Sequence, residues 1–504
     1  MLAQMTTFGV QMVSTVVLAR LLIPADFGVV TMVTTFSGLL ASCAQVGFPD
    51  AVLQREEMNH FLASNLFWIN LSVALLLMTA FAAAAPLLAR FYGDPRVARI
   101  TVAVSLSIFI TSTSVLHSAL LRRAMRFSAV SANDIVARLA SVAVSVTLAF
   151  LGWGYWALVA GVISQPLATS VGVWILCRWV PGLPRRAEGT AAIVRFARDV
   201  AGNYSVGYFT HNVDNLLVGW RFGPGPLGFY KKAYDLFSLP FSLLTVYSVA
   251  VSTLSRLNRD INQYKRYFLG GLSILAMIGM GLGATLTLVG KDLVRLILGP
   301  RWGMAGYIFT FFGPGIGVML TYGTYGMIHL SLGTTARYFR WGLIEAAVTC
   351  LMFLVGLPWG PVGIAIAWTA SYWVLTIPAL LYAGKPIQLG VAPILGAVWK
   401  YLLSSLLAGC ACAAIIREIR PLATAPGAAG ALLRIATTSL LFAALYLGAV
   451  MVLHRGCAPL YQVGRLLREM SPWSRFSKPS PAVQTSADKD ASVLLAPTAG
   501  GGST

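Results

Sequence analysis

Long apolar stretches recur along almost the whole chain and are separated by short turns or charged segments. Fourteen of these stretches are long enough to cross a hydrocarbon core, which is about 30 Å thick and requires about 20 helical residues. Backbone polar groups find no water at that depth, so a spanning segment has to pair them internally as a helix. The pattern therefore predicts an all-α integral membrane protein.

A polar, proline-rich and basic segment from Arg178 to Arg195 divides the predicted spans into a group of six and a group of eight. This composition is typical of a linker. We place the spans at residues 2–22, 28–48, 64–89, 98–120, 131–150, 155–177, 198–220, 228–254, 268–290, 305–332, 340–357, 361–383, 396–416 and 428–453. Prolines inside several spans, among them Pro166, Pro314 and Pro378, are expected to permit bending.

Composition narrows the classes of partner. The chain is 57% hydrophobic and 11% charged, with a mean hydropathy of +0.75, whereas soluble domains carry about 25% charged residues. The net charge of +20 would suit nucleic acid, but the basic residues are scattered between apolar stretches. We therefore expect membrane lipids, and not nucleic acid, as partners. Cys410 and Cys412 are too close for a CxxC motif, so we expect no metal or cofactor.

Lysine and arginine are distributed unevenly between the two sets of loops. Loops after even-numbered spans contain clusters such as Arg122, Arg123 and Arg126, and the C-terminal tail is also basic. Loops after odd-numbered spans contain far fewer basic residues. By the positive-inside rule, this asymmetry predicts that both termini are cytoplasmic.

A proline-containing hairpin occurs twice in the sequence. The matching positions are Leu22, Pro24, Phe27 and Gly28 in the first hairpin and Phe222, Pro224, Leu227 and Gly228 in the second. Two halves that share such a hairpin indicate an internal repeat. Arg20 and Asp26 flank the first hairpin, and we interpret them as turn and interface residues, with a cavity-facing Arg20 as the alternative.

Longer motifs surround both hairpins. The first comprises Val17–Leu22, Pro24 and Asp26–Gly28 with Gly47, Phe48, Ala51, Gln54 and Arg55, and the second comprises Asp214–Gly219 with Gly228–Tyr234 and Pro240. Over about residues 1–450 the chain resembles bacterial polysaccharide and O-antigen flippases. These form the polysaccharide transporter branch of the multidrug/oligosaccharidyl-lipid/polysaccharide exporter superfamily, which includes multidrug exporters and the lipid II flippase.

The resemblance implies two pseudo-symmetric six-helix bundles around a central cavity, plus two C-terminal helices. Combined with the composition of the linker and of the tail, this predicts an N-terminal bundle at 1–180, a basic cytoplasmic linker at 181–197, a C-terminal bundle at 198–383, two additional transmembrane helices at 384–455 and a disordered cytoplasmic tail at 456–504. The implied function is alternating-access export of an undecaprenyl-pyrophosphate-linked oligosaccharide, an O-antigen or exopolysaccharide repeat unit, across the bacterial inner membrane. Polysaccharide polymerase machinery is an implied partner.

Two other functions remain as alternatives to this flippase. A multidrug exporter of the related fold requires an apolar pocket for small cations, whereas a flippase requires a wide, polar and cationic one. A membrane polymerase or glycosyltransferase for lipid-linked sugars requires acidic residues on a long extracytoplasmic loop. The longest such loop, about 291–304, contains only Asp292, so we expect no enzyme and no catalytic residues.

The fifth predicted span has a polar face. Ser131, Asp134, Arg138, Ser141 and Ser145 recur at spacings of three and four residues, which place them on one side of a helix. Asp134 and Arg138 are candidates for substrate binding, because an intramembrane ion pair tends to face a cavity where an arginine can meet a pyrophosphate. A self-neutralised Asp134–Arg138 pair near the cytoplasmic interface is equally compatible with the spacing.

The seventh predicted span has the most polar face in the chain. Tyr204, Tyr208, His211 and Asn215 form a stripe, with Asp214 beside it. We assign Asp214 and His211 to an ion or proton site, because a histidine pKa crosses physiological pH with small changes of environment. Tyr204 and Tyr208 are candidates for substrate binding. The alternative for the stripe is a hydrogen-bonded cluster between helices.

Two further spans contain groups that suit sugars. Gln11 shares a face of the first span with other polar residues, and Tyr322 and Tyr325 lie in the tenth span. Aromatic rings stack on sugars, and amides and hydroxyls bond to sugar hydroxyls, so all three are candidate substrate-binding residues; bundle packing explains each of them equally well. Glu345 lies near the start of its span and is expected at the membrane interface.

Overall fold

The structure, a computed structural model, describes residues 2–45, 60–184, 204–205, 207–242, 246–419, 427–457 and 461. These ranges are mostly helical and contain no β-strand. The chain divides into two units, Met1–Ala449 and Val450–Thr504. The all-α membrane fold is confirmed. The predicted linker lies outside the described residues beyond residue 184, and so does the predicted tail beyond residue 457 apart from Tyr461.

The described residues before the linker form seven α-helices. They are α1 Leu2–Leu21, α2 Pro24–Gln45, α3 His60–Ala83, α4 Ala85–Tyr92, α5 Arg96–Arg123, α6 Phe127–Phe150 and α7 Tyr155–Cys177. The third predicted span is divided between α3 and α4. The division falls at Ala84 because Pro86, without an N–H, is suited to the first turn of a new helix.

The described residues after the linker form ten α-helices. They are α8 Val213–Phe222, α9 Pro224–Ser242, α10 Val246–Arg256, α11 Ile261–Leu298, α12 Gly303–Tyr322, α13 Thr324–Ser331, α14 Thr335–Gly356, α15 Gly360–Gly384, α16 Val391–Glu418 and α17 Gly427–Leu453. Short 3-10 helices occur at Leu257–Arg259, Pro300–Trp302, Leu357–Trp359 and Lys385–Ile387. Residues 204–205 and 207–210 are also helical and precede α8.

Within the described residues, each of the fourteen predicted spans falls on one helix or on two consecutive helices. Within the described ranges, ten helical segments are long and apolar enough to cross a membrane, and one of these, Thr335–Ile387, covers two predicted spans. α9 is not among the ten because it carries Lys231, Lys232 and Asp235. Pro166, Pro314 and Pro378 lie inside α7, α12 and α15, which continue through them.

Successive spans run in opposite directions, so the turns form two sets at the two ends of the bundle. The end that contains the α1–α2 and α8–α9 turns is called the hairpin end, and the other is called the opposite end. Gly223 adopts a φ of 81°, which glycine tolerates, and α8 ends there; Pro224 then starts α9. In the α1–α2 turn, the Ile23 N–H instead donates to Asp26 Oδ2 at 3.2 Å.

Small residues allow the closest helix contacts. A Cβ built on Gly279 of α11 would lie 3.0 Å from the Cα of Gly317 of α12, and one on Gly283 would lie 2.9 Å from the carbonyl oxygen of Gly313. This arrangement is the small-residue packing that membrane helices use in place of a hydrophobic driving force. α6 and α7 approach in a similar way, where Ser141 Oγ donates to the Gly161 carbonyl at 2.9 Å.

Candidate functional site

The two hairpins contact one another across the boundary between the halves. A Cβ built on Gly28 of α2 would overlap the carbonyl oxygen of Pro224, and a Cβ built on Gly228 of α9 would overlap the carbonyl oxygen of Pro24. The contact is reciprocal, as a two-fold relation between the halves requires. The repeated motif therefore joins the two halves at the hairpin end, and the backbones can meet only because both positions are glycine.

Trp302 packs over this hairpin contact. Its side chain is fully buried, and its Nε1–H donates to the Ala19 carbonyl of α1 at 2.8 Å. Its ring lies edge-on to Phe27 at 5.4 Å and to Phe229 at 6.0 Å. Lys232 Nζ lies 4.5 Å from the centre of the Phe27 ring. Residues from both halves thus close the hairpin end.

Arg20 also joins the halves at this end. Its Nη2 donates to the Leu296 carbonyl near the end of α11 at 2.9 Å. This contact lies at the turn and joins the Arg20 side chain to backbone near the hairpins.

The described residues before α8 contact α2 further along its length. The Tyr208 hydroxyl occupies the space where a Cβ of Gly38 would lie. Cys43 Sγ and Ser205 Oγ are hydrogen-bonded at 3.1 Å. Tyr208, a predicted substrate residue, therefore packs between the two halves, whereas Tyr204 is 54% exposed.

A polar cavity lies between α5, α6 and α7 and has a volume of about 480 Å³. Its lining comprises Thr111, Ser114, Val115, Ser118, Ala119, Arg122, Asp134, Val162, Gln165, Pro166 and Thr169. The lining extends from the middle of α5 to Arg122, near the opposite end. Asp134 interacts electrostatically with Arg122 as well as with Arg138. The cavity thus combines hydroxyls and an amide, which suit sugars, with a guanidinium, which suits a phosphate.

Arg138 and Asp134 do not form the ion pair that their spacing allowed. Arg138 Nη1 instead donates to Gln11 Oε1 of α1. Helical spacing places both residues on one face, but α1 offers the guanidinium an amide oxygen across the helix contact. The structure therefore brings together two predicted substrate residues, Arg138 and Gln11, and places Asp134 in the cavity wall.

Asp214 is fully buried between α8, α9 and α15. Its Oδ2 accepts hydrogen bonds from the Tyr230 hydroxyl at 2.7 Å and from Trp368 Nε1 at 2.9 Å. Its Oδ1 accepts one from the Asn215 N–H at 2.7 Å. Three donors satisfy a carboxylate without a positively charged partner in direct contact. The neighbouring Asn215 Oδ1 is buried and has no hydrogen-bond partner in the described structure.

His211 shares Trp368 with Asp214. The imidazole stacks on the Trp368 ring, with centroids 5.8 Å apart and planes 7° apart. The two predicted ion-site residues thus contact the same indole. His211 stacks on the Trp368 ring, and Asp214 accepts the hydrogen bond of its Nε1–H. Trp368 was absent from the predicted site because an aromatic residue 154 positions further along the chain carries no periodic signal that links it to Asp214.

Tyr322 and Tyr325 belong to a buried network in the second half. The Tyr325 hydroxyl donates to Glu345 Oε2 at 2.9 Å, and Trp341 Nε1 donates to the Tyr322 hydroxyl at 3.2 Å. Both tyrosines and Glu345 are at most 9% exposed. In this structure both tyrosines are packed in the interior, and their role in substrate binding stays a prediction. Glu345 is buried among aromatic residues instead of exposed at an interface, because α13 supplies a hydroxyl partner.

The fold is similar to those of two solved transporters. The lipid II flippase MurJ in an inward closed conformation matches with a TM-score of 0.72 at 14% identity, over 90% of this chain and 99% of that chain. An inward-facing multidrug resistance MATE family transporter of the MOP superfamily matches with a TM-score of 0.59 at 13% identity, over 76% of this chain and 94% of that chain. At these identities the likeness concerns the fold, an all-α membrane transporter with two pseudo-symmetric halves.

Curated relatives are more similar in sequence. The succinoglycan biosynthesis transport protein ExoT of Rhizobium meliloti (strain 1021) is 24% identical over 352 residues, 69% of this chain and 71% of that protein. The lipopolysaccharide biosynthesis protein WzxC of Escherichia coli (strain K12) is 22% identical over 60% of this chain and 62% of its own length. The teichuronic acid biosynthesis protein TuaB of Bacillus subtilis (strain 168) is 23% identical over 51% of this chain and 54% of its own length.

The family model described as "Polysaccharide biosynthesis protein" matches residues 17–305, which are more than half of the chain. The match includes both hairpins, Trp302 and the whole polar cavity. The chain therefore belongs to the polysaccharide biosynthesis protein family.

Proposed function

We propose that the protein is a flippase that moves an undecaprenyl-pyrophosphate-linked oligosaccharide, an O-antigen or exopolysaccharide repeat unit, across the bacterial cytoplasmic membrane. The observation that carries this proposal is the polar cavity between α5, α6 and α7, which reaches Arg122 near the opposite end while the hairpin end is closed. The names of the relatives, which concern succinoglycan, lipopolysaccharide and teichuronic acid, support the same class of substrate.

The cavity lining fits the two parts of such a substrate. Hydroxyls and the Gln165 amide pair with sugar hydroxyls, and Arg122 offers charge-assisted hydrogen bonds to the pyrophosphate. Arg138, held by Gln11, is a second cationic point on α6. The substrate enters from the opposite end, and separation of the hairpins releases it at the hairpin end. This is alternating access by one half moving against the other.

The two alternative functions are less well supported. A drug exporter needs an apolar pocket, whereas seven of the eleven residues that line this cavity are polar or charged. An extracytoplasmic catalytic site is not favoured either, because Asp292 is occupied by Arg434, whose Nε and Nη2 both donate to it at 2.9 Å.

The proposal includes an orientation and a division of the chain. Both termini are cytoplasmic and the hairpin end faces outward, which agrees with the basic residues in the turns of the opposite end. Residues 1–180 and 198–383 are the two bundles, residues 181–197 link them, residues 384–455 add two helices, and residues 456–504 are a cytoplasmic tail. Polysaccharide polymerase machinery on the outer side receives the exported repeat unit.

We also propose that Asp214 and His211 couple transport to an ion or proton gradient. Asp214 is buried, and a change in its hydrogen bonds to Tyr230 or Trp368 would reach α9 and α15 directly. α9 carries Gly228 of the hairpin contact, so occupancy of the Asp214 site can bias the hairpins between open and closed.

The transport proposal is tested with Arg122→Gln. We expect uptake of a lipid-linked oligosaccharide analogue into inverted membrane vesicles to fall at least about tenfold, since one charge-assisted contact contributes about 1.5–3 kcal/mol. Arg99→Gln is the control, because Arg99 is exposed on the same helix near the hairpin end. Wild-type uptake by Arg122→Gln, or an equal loss in both variants, would contradict the assignment of the cavity.

The coupling proposal is tested with Asp214→Asn, which is nearly isosteric and keeps one acceptor. We expect this variant to remain in the membrane but to lose the stimulation of uptake by an imposed pH gradient. Glu418→Gln, at the exposed end of α16, is the control. Full stimulation in Asp214→Asn would assign Asp214 to helix packing alone.

The orientation is tested by cysteine labelling of intact cells in a cysteine-free background. Trp359→Cys, which is 69% exposed at the hairpin end, should react with an impermeant thiol reagent. Arg185→Cys and Lys478→Cys should react only after permeabilisation. The reverse pattern would invert the proposed topology.

A further inference from the structure

A second pocket, separate from the polar cavity, lies in the second half at the opposite end. It is formed where α14 begins and α15 ends, and its volume is about 410 Å³. Its lining comprises Arg337, Arg340, Tyr382, Lys385 and Pro386. Three of these five residues are cations. Neither α14 before Glu345 nor α15 carries an acidic residue.

The Arg337 side chain is held in place with part of its hydrogen-bonding capacity unused. Its Nη2 donates to the Tyr382 carbonyl, and its guanidinium lies 4.7 Å from the centre of the Tyr382 ring. Its Nε is buried and has no partner within the described residues. A buried donor without a partner is unfavourable unless a ligand supplies the acceptor. The Nε–Nη edge of arginine is the edge that binds phosphate in a bidentate manner.

The first half contains part of the same arrangement. Comparing the two halves distinguishes the contact that joins helices from the residues that are available to a ligand. Arg126, just before α6, donates through Nη1 to the Leu176 carbonyl near the end of α7 at 3.1 Å. The arginine-to-carbonyl bond is thus common to both halves and serves to join helices. The second half adds Arg340, Lys385 and the buried Nε of Arg337.

Arg340 and Lys385 leave the pocket with uncompensated positive charge. Both side chains are exposed, and in the described part of the chain neither side chain has an ion-pair or hydrogen-bond partner. The only acid on α14, Glu345, is not in the pocket lining and accepts a hydrogen bond from the Tyr325 hydroxyl. Three cations without an acid, around a cavity of this size, favour a phosphate over a neutral or cationic ligand.

The surface next to the pocket is suited to acyl chains. Arg340 begins an exposed stripe that continues along α14 at spacings of three and four residues through Leu343, Ala347, Leu351 and Leu354. Leu343 is 45% exposed and Leu351 is 60% exposed. Tyr338 and Tyr382 lie at the level of the cations, as aromatic residues do at a membrane interface. A phosphate bound in the pocket would therefore have a lipid-facing apolar strip directly beside it.

We propose that this pocket binds the phosphate of an anionic membrane phospholipid, with Arg337, Arg340 and Lys385 holding the headgroup and the exposed face of α14 holding an acyl chain. The site lies between α14 and α15, away from the cavity of the first half, and does not depend on the transported substrate. Binding ties the end of α15 to the start of α14 and to the membrane surface.

The experiment uses full-length protein, purified in detergent and stripped of lipid. Phosphatidylglycerol and phosphatidylcholine with identical acyl chains are titrated, and bound lipid is measured by native mass spectrometry. We expect at least about tenfold preference for phosphatidylglycerol in the wild type. Arg340→Gln with Lys385→Gln, which leaves the Arg337–Tyr382 bond intact, should remove most of this preference. Arg337→Lys, which keeps the charge but lacks the guanidinium edge, should give an intermediate affinity.

The matched control is Arg256→Gln with Arg259→Gln, which removes two exposed cations at the same end but outside the pocket. This control should retain the wild-type preference. Equal binding of the two lipids by the wild type, or unchanged preference in the pocket variant, would overturn the proposal. Displacement of phosphatidylglycerol by millimolar inorganic phosphate would identify a soluble anion as the ligand, and displacement by equimolar undecaprenyl pyrophosphate would identify a substrate site; either result would overturn the phospholipid assignment.

Discussion

Two glycines, 28 and 228, allow the halves of the molecule to touch backbone to backbone at the hairpin end. At each glycine, the carbonyl group of a proline from the other hairpin occupies the space that a side chain would fill. A small, reciprocal backbone contact is suited to a joint that has to open and close.

The first prediction concerns this joint. Gly28→Ala and Gly228→Ala should each disfavour the closed hairpins about 5- to 150-fold, because overpacking costs about 1–3 kcal/mol. Gly225→Ala in the same hairpin is the control, since a Cβ there has no atom within 4 Å. The measurement is thiol accessibility of a cysteine at Leu22 in membranes, since Leu22 is only 3% exposed when the hairpins are closed. Unchanged accessibility in both variants would show that the hairpins do not close as described.

The stability of the protein should depend on pH through the ion pair between Asp94 and Arg96. Arg96 donates to Asp94 through Nε and Nη2, the shorter contact being 2.7 Å, and this hydrogen bonding lowers the pKa of the Asp94 carboxyl. A lowered folded-state pKa contributes stability above the unfolded value of about 3.9, and that stability is lost as pH falls through the folded pKa. Since Arg96 is 37% exposed, we expect at most about 1 kcal/mol.

The measurement for this pair is the apparent unfolding temperature of purified protein between pH 7 and pH 3. The difference between wild type and Asp94→Asn should be constant near neutral pH and should shrink toward zero in the acid range. A difference that grows on acidification would mean that the Asp94 pKa is raised by folding.

At the scale of elements, the contact between α11 and α12 shows why helices cross where they do. Gly279 and Gly283 face Gly313 and Gly317, so the two backbones approach more closely than larger side chains would allow. α11 also carries Asp292, whose ion pair with Arg434 attaches α17. The helix pair thus forms a rigid part of the second half.

The prediction for this element is that Gly283→Val lowers stability, because a Cβ at Gly283 already lies 2.9 Å from the Gly313 carbonyl oxygen. We expect a loss of about 1–3 kcal/mol, seen as a lower apparent unfolding temperature in detergent. Gly271→Val, in the same helix with no atom within 4 Å of a Cβ, should change stability by less than about 0.5 kcal/mol. Equal effects of both substitutions would argue against the glycine contact.

The sequence predicted the helices well because hydropathy depends on residues that are neighbours along the chain. The polar faces of α6 and of the span that contains α8 were also foreseen, since helical spacing determines which residues share a face. The partners of these residues on other helices were not foreseen. Arg138 donates to Gln11 instead of pairing with Asp134, and Asp214 accepts hydrogen bonds from Trp368 and Tyr230. Arg122 was noted only as a topology marker, because one-dimensional spacing cannot show that it lines a cavity with residues of α6 and α7.

At the scale of the whole molecule, the two halves meet at the hairpin end through α1, α2, α9, α11 and the segment that contains Trp302. The polar cavity of the first half reaches toward the opposite end. The proposed orientation places this end at the cytoplasm, where the proposed substrate is loaded. Alternating access then requires the hairpin end to open in every transport cycle.

Cross-linking of the hairpin end during transport tests this requirement most directly. In a cysteine-free background, Arg20→Cys and Leu296→Cys are joined by a short, cleavable bifunctional thiol reagent, since the Arg20 side chain reaches the Leu296 carbonyl. Asp292→Cys with Arg434→Cys, both beyond the linker, is the control for cross-linking itself. We expect the first cross-link to stop uptake of a lipid-linked oligosaccharide analogue, cleavage of the reagent to restore it, and the control to remain active. Wild-type uptake with the Arg20 and Leu296 positions fully cross-linked would contradict alternating access through the hairpin end.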